Sequence, residues 1–139
     1  KEKKPENLLP IVMEVANKTR KSFNVFGNDY DTKDGTCLRD YIHVNDLATA
    51  HVKSIDALKN NNKLILNLAT GNNYSVLDVI NQAEIITNKN IKYNIVERRP
   101  GDPDKLYATS HQAKNILNWI PQYSDLNTIL ESMWKIYNI

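Results

Sequence analysis

Apolar positions in this chain switch between helical and strand-like spacing, and the switches mark the elements. Leu8, Ile11, Val12, Val15 and Ala16 recur every three or four residues, which predicts a helix from Leu8 to Lys21 with Asn7 as its N-cap. Phe23 to Phe26 is a short apolar strand, closed by the turn chemistry of Gly27-Asn28-Asp29. A polar loop runs from Asp29 to Thr36. Tyr41 to Val44 then predicts a strand, feeding a helix capped by Asn45 or Asp46 that runs to about Lys59. In that helix Leu47, Ala48, His51, Val52, Ile55 and Leu58 form a stripe expected to be buried. Leu64 to Ala69 is nearly continuous apolar sequence, the pattern of a strand covered on both faces, and Gly71 supplies the turn after it. Ser75, followed by Asp78, opens a helix that ends near Thr87-Asn88. Lys92 to Val96 is the next strand, and the loop Arg98-Arg99-Pro100-Gly101-Asp102 follows it. Thr109 or Ser110 caps a short helix to about Leu117, Pro121 blocks its continuation, and Ser124 or Asp125 starts a last helix through Tyr137. The predicted order, α-β-β-α-β-α-β-α-α, describes a mixed α/β unit with no internal repeat and no linker.

Composition narrows the class only a little. The 139 residues, 41% apolar and 24% charged, suffice for one ordinary globular domain with its own core. A net charge of +2 does not point to nucleic acid or a membrane, so any anion binding must come from local placement. No apolar run approaches ~18 residues, so no transmembrane span is predicted. Lys1 to Lys4 lead into polar Pro5-Glu6-Asn7, which is not a signal-peptide pattern. A first residue of Lys1 rather than methionine predicts a fragment or a processed product. The single Cys37 cannot form an internal disulfide, which fits a cytoplasmic location. Asn60-Asn61-Asn62-Lys63 reads as a compositionally biased surface loop.

The candidate chemistry lies in two loops. In Gly35-Thr36-Cys37-Leu38-Arg39-Asp40-Tyr41-Ile42-His43, a glycine-bearing loop feeds an arginine into a strand, and the strand runs into a capped helix. Such an arrangement holds one guanidinium rigidly at a sheet end, where phosphates are best gripped. Arg98-Arg99-Pro100-Gly101-Asp102 adds cations and an acid after a second apolar strand. Adjacent arginines leave a strand end in different directions, so Arg99 is expected to face a ligand and Arg98 to be structural or solvated. Plainer readings stand beside these: Arg39 paired with Asp40, Phe26 as core packing, and Asp29, Tyr30 and Asp34 as solvated turn residues. His43, His51 and His111 show no ligand spacing with Cys37, so no metal site is expected, and His51 is expected in the core. Trp119 and Trp134 are expected as core anchors. There is no G-x-x-G-x-x-G turn to cradle a dinucleotide, and no Tyr followed four residues later by Lys.

The string from Phe26-Gly27-Asn28-Asp29-Tyr30 to His51, most specific between Asp34 and Ala48, resembles the UDP-glucose 4-epimerase family of the extended short-chain dehydrogenases/reductases. The likeness runs from about Asn7 to Trp134 and covers only the C-terminal half of such an enzyme. It implies that residues 1–139 are a mixed α/β UDP-sugar-binding lobe. Its Rossmann partner, carrying NAD and the catalytic Tyr and Lys, would lie outside this chain, which has no catalytic residue and is inactive alone. The implied activity is interconversion of UDP-glucose and UDP-galactose by oxidation and reduction at C4, in a homodimer formed through the absent half. The helix from Asn45 to Lys59 is expected to pack on the missing lobe. By the same resemblance Arg39 and Arg99 hold the diphosphate, and Asp102 holds the ribose. Asn7 and Leu8 touch the nucleotide, the backbones of Asn24 and Phe26 read the uracil edge, and Tyr41 and Val76 line the pocket. Leu106 or Tyr107 gates the sugar's C2 substituent, where bulk favours UDP-glucose and UDP-galactose. The chain departs from the family at Ala69, Asn73 and Thr109, where glycines and an aspartate are usual. The alternatives are another nucleotide-sugar epimerase or dehydratase of the same superfamily, or a non-catalytic UDP-binding module.

Overall fold

In chain order the elements are α1 (Leu8–Ala16), β1 (Phe23–Phe26), β2 (Leu38–Arg39), α2 (Val44–Leu58), β3 (Tyr74–Ser75), α3 (Val76–Thr87), β4 (Tyr93–Val96), β5 (Lys105–Leu106), α4 (His111–Leu117) and α5 (Leu126–Tyr137). They are seen in a computed structural model that describes residues 5–59 and 63–138. The biased run at Asn60, Asn61 and Asn62 lies outside the described residues.

The main core is built by α1, α3 and α5 around β1. Val12, Met13, Val79, Ile80 and Leu130 are almost wholly buried there, with Val25 of β1 among them. The helix expected to reach Lys21 ends at Ala16, because Asn17 and Lys18 leave helical geometry, Lys18 at φ 65. The Asn17 amide then donates to the Tyr137 carbonyl at 3.1 Å, tying the end of α1 to the end of α5. α3 starts at the predicted capping box of Ser75 and Asp78 and stops at Asn88, whose left-handed φ of 51 ends the helix.

Two small sheets hold the strands. β1 pairs in parallel with β4, Phe23 opposite Tyr93 and Phe26 opposite Val96. β2 lies between β3, antiparallel, and β5, parallel, with Arg39 opposite both Tyr74 and Leu106. The strand expected at Tyr41 to Val44 therefore forms earlier, at Leu38–Arg39, where the Leu38 N–H finds the Asp104 carbonyl at 2.8 Å. Further on, the His43 N–H goes to the Ser124 hydroxyl at 2.9 Å instead of to a strand. His43, not Asn45 or Asp46, caps α2, its Nδ1 accepting from the Asn45 N–H at 3.1 Å.

A second, smaller core joins Ala50, Ala113, Leu117 and Trp119, with Ala57, Leu66 and Leu68 packed against it. Here the sequence expectation fails on α2. The helix packs on α4 through small residues, while Val52, Ile55 and Leu58 are 66%, 64% and 49% exposed. His51 is also exposed, its ring bonded to the Leu47 carbonyl, and is no core histidine. The Leu64 to Ala69 run forms no ladder, since no described strand lies beside it. Only one side of it is covered: Leu66 and Leu68 touch the small core and Ile65 is 76% exposed. Trp119 is buried as expected, donating from Nε1 to the Asp46 carbonyl at 2.9 Å, and Trp134 is half-buried against the main core. Asp46 itself is buried, its carboxylate accepting from the Gln122 and Tyr123 N–H groups and the Ser124 hydroxyl.

Candidate functional site

The parallel pairings decide where the two candidate loops go. Because β1 pairs with β4 and β2 with β5, the β1–β2 and β4–β5 connections run side by side. Arg39 and the Arg98–Asp102 loop, some sixty residues apart in sequence, come together as a result. The Arg39 Nη2 donates to Asp102 Oδ1 at 2.7 Å, and its Nη1 to the carbonyls of Leu38 and Pro103 at 2.8 and 3.0 Å. Arg39 therefore pairs with Asp102 and not with Asp40. The Asp40 carboxylate instead accepts from the Thr70 N–H and hydroxyl and the Gly71 N–H, fixing the turn that follows residue 69.

Phe26 and Arg99 meet at the adjoining ends of β1 and β4. The Arg99 guanidinium lies 3.8 Å from the centre of the Phe26 ring, a cation–π stack. Among the described residues Arg99 is in no ion pair, so its charge is not neutralised by a carboxylate. Arg98 points elsewhere, bonding Asp29 and lying 4.1 Å over the Tyr30 ring. Asp34 is not solvated as expected: it is half-buried and accepts from Thr36 and Ser75.

A cavity of about 1310 Å³ opens between these loops and the start of α1. Arg39, Arg99 and Asp102 line it, with Asn7 and Leu8 from the start of α1, Asn24 and Phe26 from β1, and Tyr41 and Val76. Asn7 does not cap α1 with its side chain, which leaves that helix end open towards the cavity. Leu106 is the exception among the sequence candidates. It lies across from Arg39 on the edge strand β5, its side chain is 59% exposed, and it does not line the cavity. Tyr107 is 58% exposed and also lies outside. The far wall, Ile129, Ser132 and Met133 of α5, was missed from sequence. These positions share one helix face, but nothing local says that α5 crosses this site. His43 Nε2 meets the Ser132 hydroxyl at 3.1 Å on that wall.

One edge of β1 also faces outward. The Phe23 N–H donates to Lys92 O and the Gly27 N–H to Val96 O, so alternate residues are turned to β4. The N–H and C=O groups of Asn24 and Phe26 accordingly point to the open edge. The site thus offers guanidinium groups, a carboxylate, an aromatic ring and free strand-edge backbone. It has no poised base or nucleophile among its tyrosine and cysteine. Burial pushes Tyr41 up to about 12 and raises the Cys37 thiol, so both stay protonated at neutral pH. Among the described residues no group of three or more His, Cys, Asp or Glu could hold a metal ion, and no helix is long and apolar enough to cross a membrane.

A dinucleotide pyrophosphate needs free N–H groups at a glycine-lined helix start. At α3 those groups are already used, Val76 and Leu77 N–H by the Thr36 hydroxyl and Asp78 N–H by Ser75. At α2 and α5 the cap residues His43 and Asp125 each take one, and the starts of α1 and α4, which have no side-chain cap, follow no glycine turn. Among the described residues no helix start combines free N–H groups with a directly preceding glycine turn, so these residues do not fit a dinucleotide pyrophosphate.

A sequence-family model described as GDP-mannose 4,6 dehydratase matches residues 1–133. A UDP-glucose 4-epimerase of Rhizobium leguminosarum bv. trifolii is 42% identical over 127 residues, covering 91% of this chain and 38% of that protein. Among solved structures, UDP-glucose-4-epimerase from Stenotrophomonas maltophila, with bound NAD and formylated UDP-arabinopyranose, superposes with a TM-score of 0.92 at 38% identity, over 99% of this chain and 41% of that one. UDP-glucose 4-epimerase from Bifidobacterium longum, in complex with NAD+ and UDP, gives 0.87 at 41% identity, over 96% and 40%. The chain spans about two fifths of the length of the relatives it matches. With mixed α/β architecture, a family model matched over nearly its whole length and a shared backbone, this chain belongs to the UDP-sugar epimerase/extended short-chain dehydrogenase–reductase superfamily.

Proposed function

We propose that the chain is the UDP-sugar-binding half of an NAD-dependent UDP-glucose 4-epimerase that interconverts UDP-glucose and UDP-galactose. The observation that carries this reading is the convergence of Arg39, Arg99, Asp102, Phe26 and the open edge of β1 on one cavity. Each part matches a feature of UDP. The guanidinium groups suit the diphosphate, the carboxylate suits the ribose diol, and the backbone of Asn24 and Phe26 can exchange hydrogen bonds with a uracil edge. Turning a keto sugar over before the hydride returns demands that affinity be concentrated on UDP and kept sparse on the hexose. Charged groups clustered for the nucleotide fit that demand.

NAD, the catalytic Tyr and Lys and the homodimer contact belong, in this reading, to the part of a longer protein that the chain does not contain. Two observations support it: among the described residues no helix start with free N–H groups follows a glycine turn, and the chain matches about two fifths of the length of its relatives. The apolar face of α2 is then the surface on which the other half packs, and the chain alone is inactive. In the full-length protein, Arg99→Ala should weaken UDP by about 1.5–3 kcal/mol, one to two decades in Kd. Calorimetric titration checks it, and an unchanged Kd removes Arg99 from the site. The dehydratase description of the matching family model favours a second reading, nucleotide-sugar dehydration. Product analysis with UDP-galactose separates the two: UDP-glucose as sole product supports epimerisation, and a deoxy-keto sugar supports the rival.

A further inference from the structure

The loop between β4 and β5 is anchored on either side of its turn. Before the turn, Arg98 bonds Asp29 and lies over the ring of Tyr30, which is itself only 4% exposed. After it, the Leu38 N–H bonds the Asp104 carbonyl at 2.8 Å. Between these anchors the chain turns at Pro100 and Gly101, with Gly101 at φ 81 and the Asp102 N–H bonding the Arg99 carbonyl at 3.2 Å. The turn sets Arg99 and Asp102 side by side, yet the two side chains are held differently. Arg99 rests on the Phe26 ring. Among the described residues the one side chain bonded to the Asp102 carboxylate is Arg39, from Nη2 to Oδ1 at 2.7 Å. Arg39 is itself fixed, since its Nη1 donates to the carbonyls of Leu38 and Pro103 at 2.8 and 3.0 Å. One guanidinium thus spans β2 and the loop. These bonds leave its Nε–H and an Nη2–H free for a phosphate. They also leave Asp102 Oδ2 without a bond, free to accept from a hydroxyl.

We propose that Arg39 is the positioning residue for Asp102, so that recognition of the ribose diol depends on Arg39 as well as on the carboxylate that touches the diol. The assignment rests on the UDP reading above and separates the two arginines within it. Arg99, in no ion pair among the described residues, acts on the diphosphate alone. Arg39 acts on the diphosphate through its free N–H groups and on the ribose through Asp102. A charge-assisted bond on Oδ1 holds the carboxylate in one rotamer and aims Oδ2. Released from Arg39, an aspartate 31% exposed at the end of a turn would sample its other rotamers and lose that aim.

The test is calorimetric titration of the full-length protein with UDP and with 2′,3′-dideoxy-UDP, which lacks the diol, with Tm of each variant as the check on folding. Wild type should bind UDP about tenfold more tightly than the dideoxy nucleotide, as expected for a hydrogen bond to a charged acceptor. Arg39→Lys keeps a positive charge for the phosphates but cannot span Leu38, Pro103 and Asp102 at once. Its preference for UDP should fall to within about twofold. Arg39→Gln, a second variant, should lose the preference and also bind the dideoxy nucleotide about tenfold more weakly, because its phosphate contact is gone. Arg99→Ala should weaken both nucleotides about tenfold and keep the wild-type preference. In an Asp102→Ala background Arg39→Lys should leave the remaining preference unchanged. A wild-type preference retained by both Arg39 variants overturns the assignment, and so does a further loss of preference in the Asp102→Ala background. Equal binding of the two nucleotides by wild type removes Asp102 from the ribose and the assignment with it. No UDP binding by wild type overturns the nucleotide reading itself, a result distinct from the others.

Discussion

Asp34 joins the loop before β2 to the start of α3 with a single carboxylate. One oxygen accepts from the Thr36 N–H and hydroxyl at 2.9 and 2.8 Å, the other from the Ser75 hydroxyl. Thr36 in turn accepts from Val76 N–H, so three residues hold the loop against a helix end beside the cavity. Burial pushes the Asp34 carboxyl up, but the bonds from Ser75 and Thr36 outweigh it and leave it below its ordinary range. A carboxyl depressed in the folded state stabilises above its unfolded pKa, and the contribution is lost as pH falls through the folded value. Asp34→Asn should therefore cost about 1.5–3 kcal/mol at neutral pH. The gap to wild type should close as pH drops below about 4. Urea midpoints at both ends of that range check it, and a gap that does not change with pH refutes the linkage.

At the scale of elements, Asp46 governs how α2 meets the segment before α5. A first-turn acid normally complements a helix dipole at the surface. Here the side chain is 1% exposed and gathers the N–H groups of Gln122 and Tyr123, at 2.9 and 2.8 Å, with the Ser124 hydroxyl. Ser124 then accepts from the His43 N–H, and so the residue that caps α2 is fixed from α5's side. Removing the carboxylate leaves three donors without their acceptor, the buried Ser124 hydroxyl among them. Asp46→Ala should destabilise by about 3 kcal/mol or more, read from the urea midpoint by fluorescence of Trp119, which packs directly on this cluster. A loss below about 1 kcal/mol would show that water replaces the carboxylate. Ser75 and Asp125 are simpler, since their caps follow local rules and were visible in the sequence.

For the whole molecule, the exposed apolar face of α2 at Val52, Ile55 and Leu58 is the largest departure from what periodicity implies. Spacing says that residues share a face; it does not say what covers the face. Ile55→Lys should leave the stability of this chain within about 0.5 kcal/mol and improve its solubility, while preventing assembly with the proposed other half. Size-exclusion chromatography of the two halves mixed checks it; normal assembly by the variant would exclude this face from the contact. Local chemistry determined the elements that depend on nearest neighbours: the α1 stripe, the Ser75–Asp78 box, the left-handed stop at Asn88 and the turn at Gly27. The family resemblance, taken along the whole chain, marked nine of the 25 residues that line the cavity, from Asn7 to Asp102. Tertiary structure alone decided that Arg39 pairs with Asp102 and not with its neighbour Asp40, that Tyr30 is enclosed, that Leu106 faces outward and that α5 closes the far wall. Those outcomes depend on which strands lie side by side, and parallel pairing joins segments some seventy residues apart with no local trace.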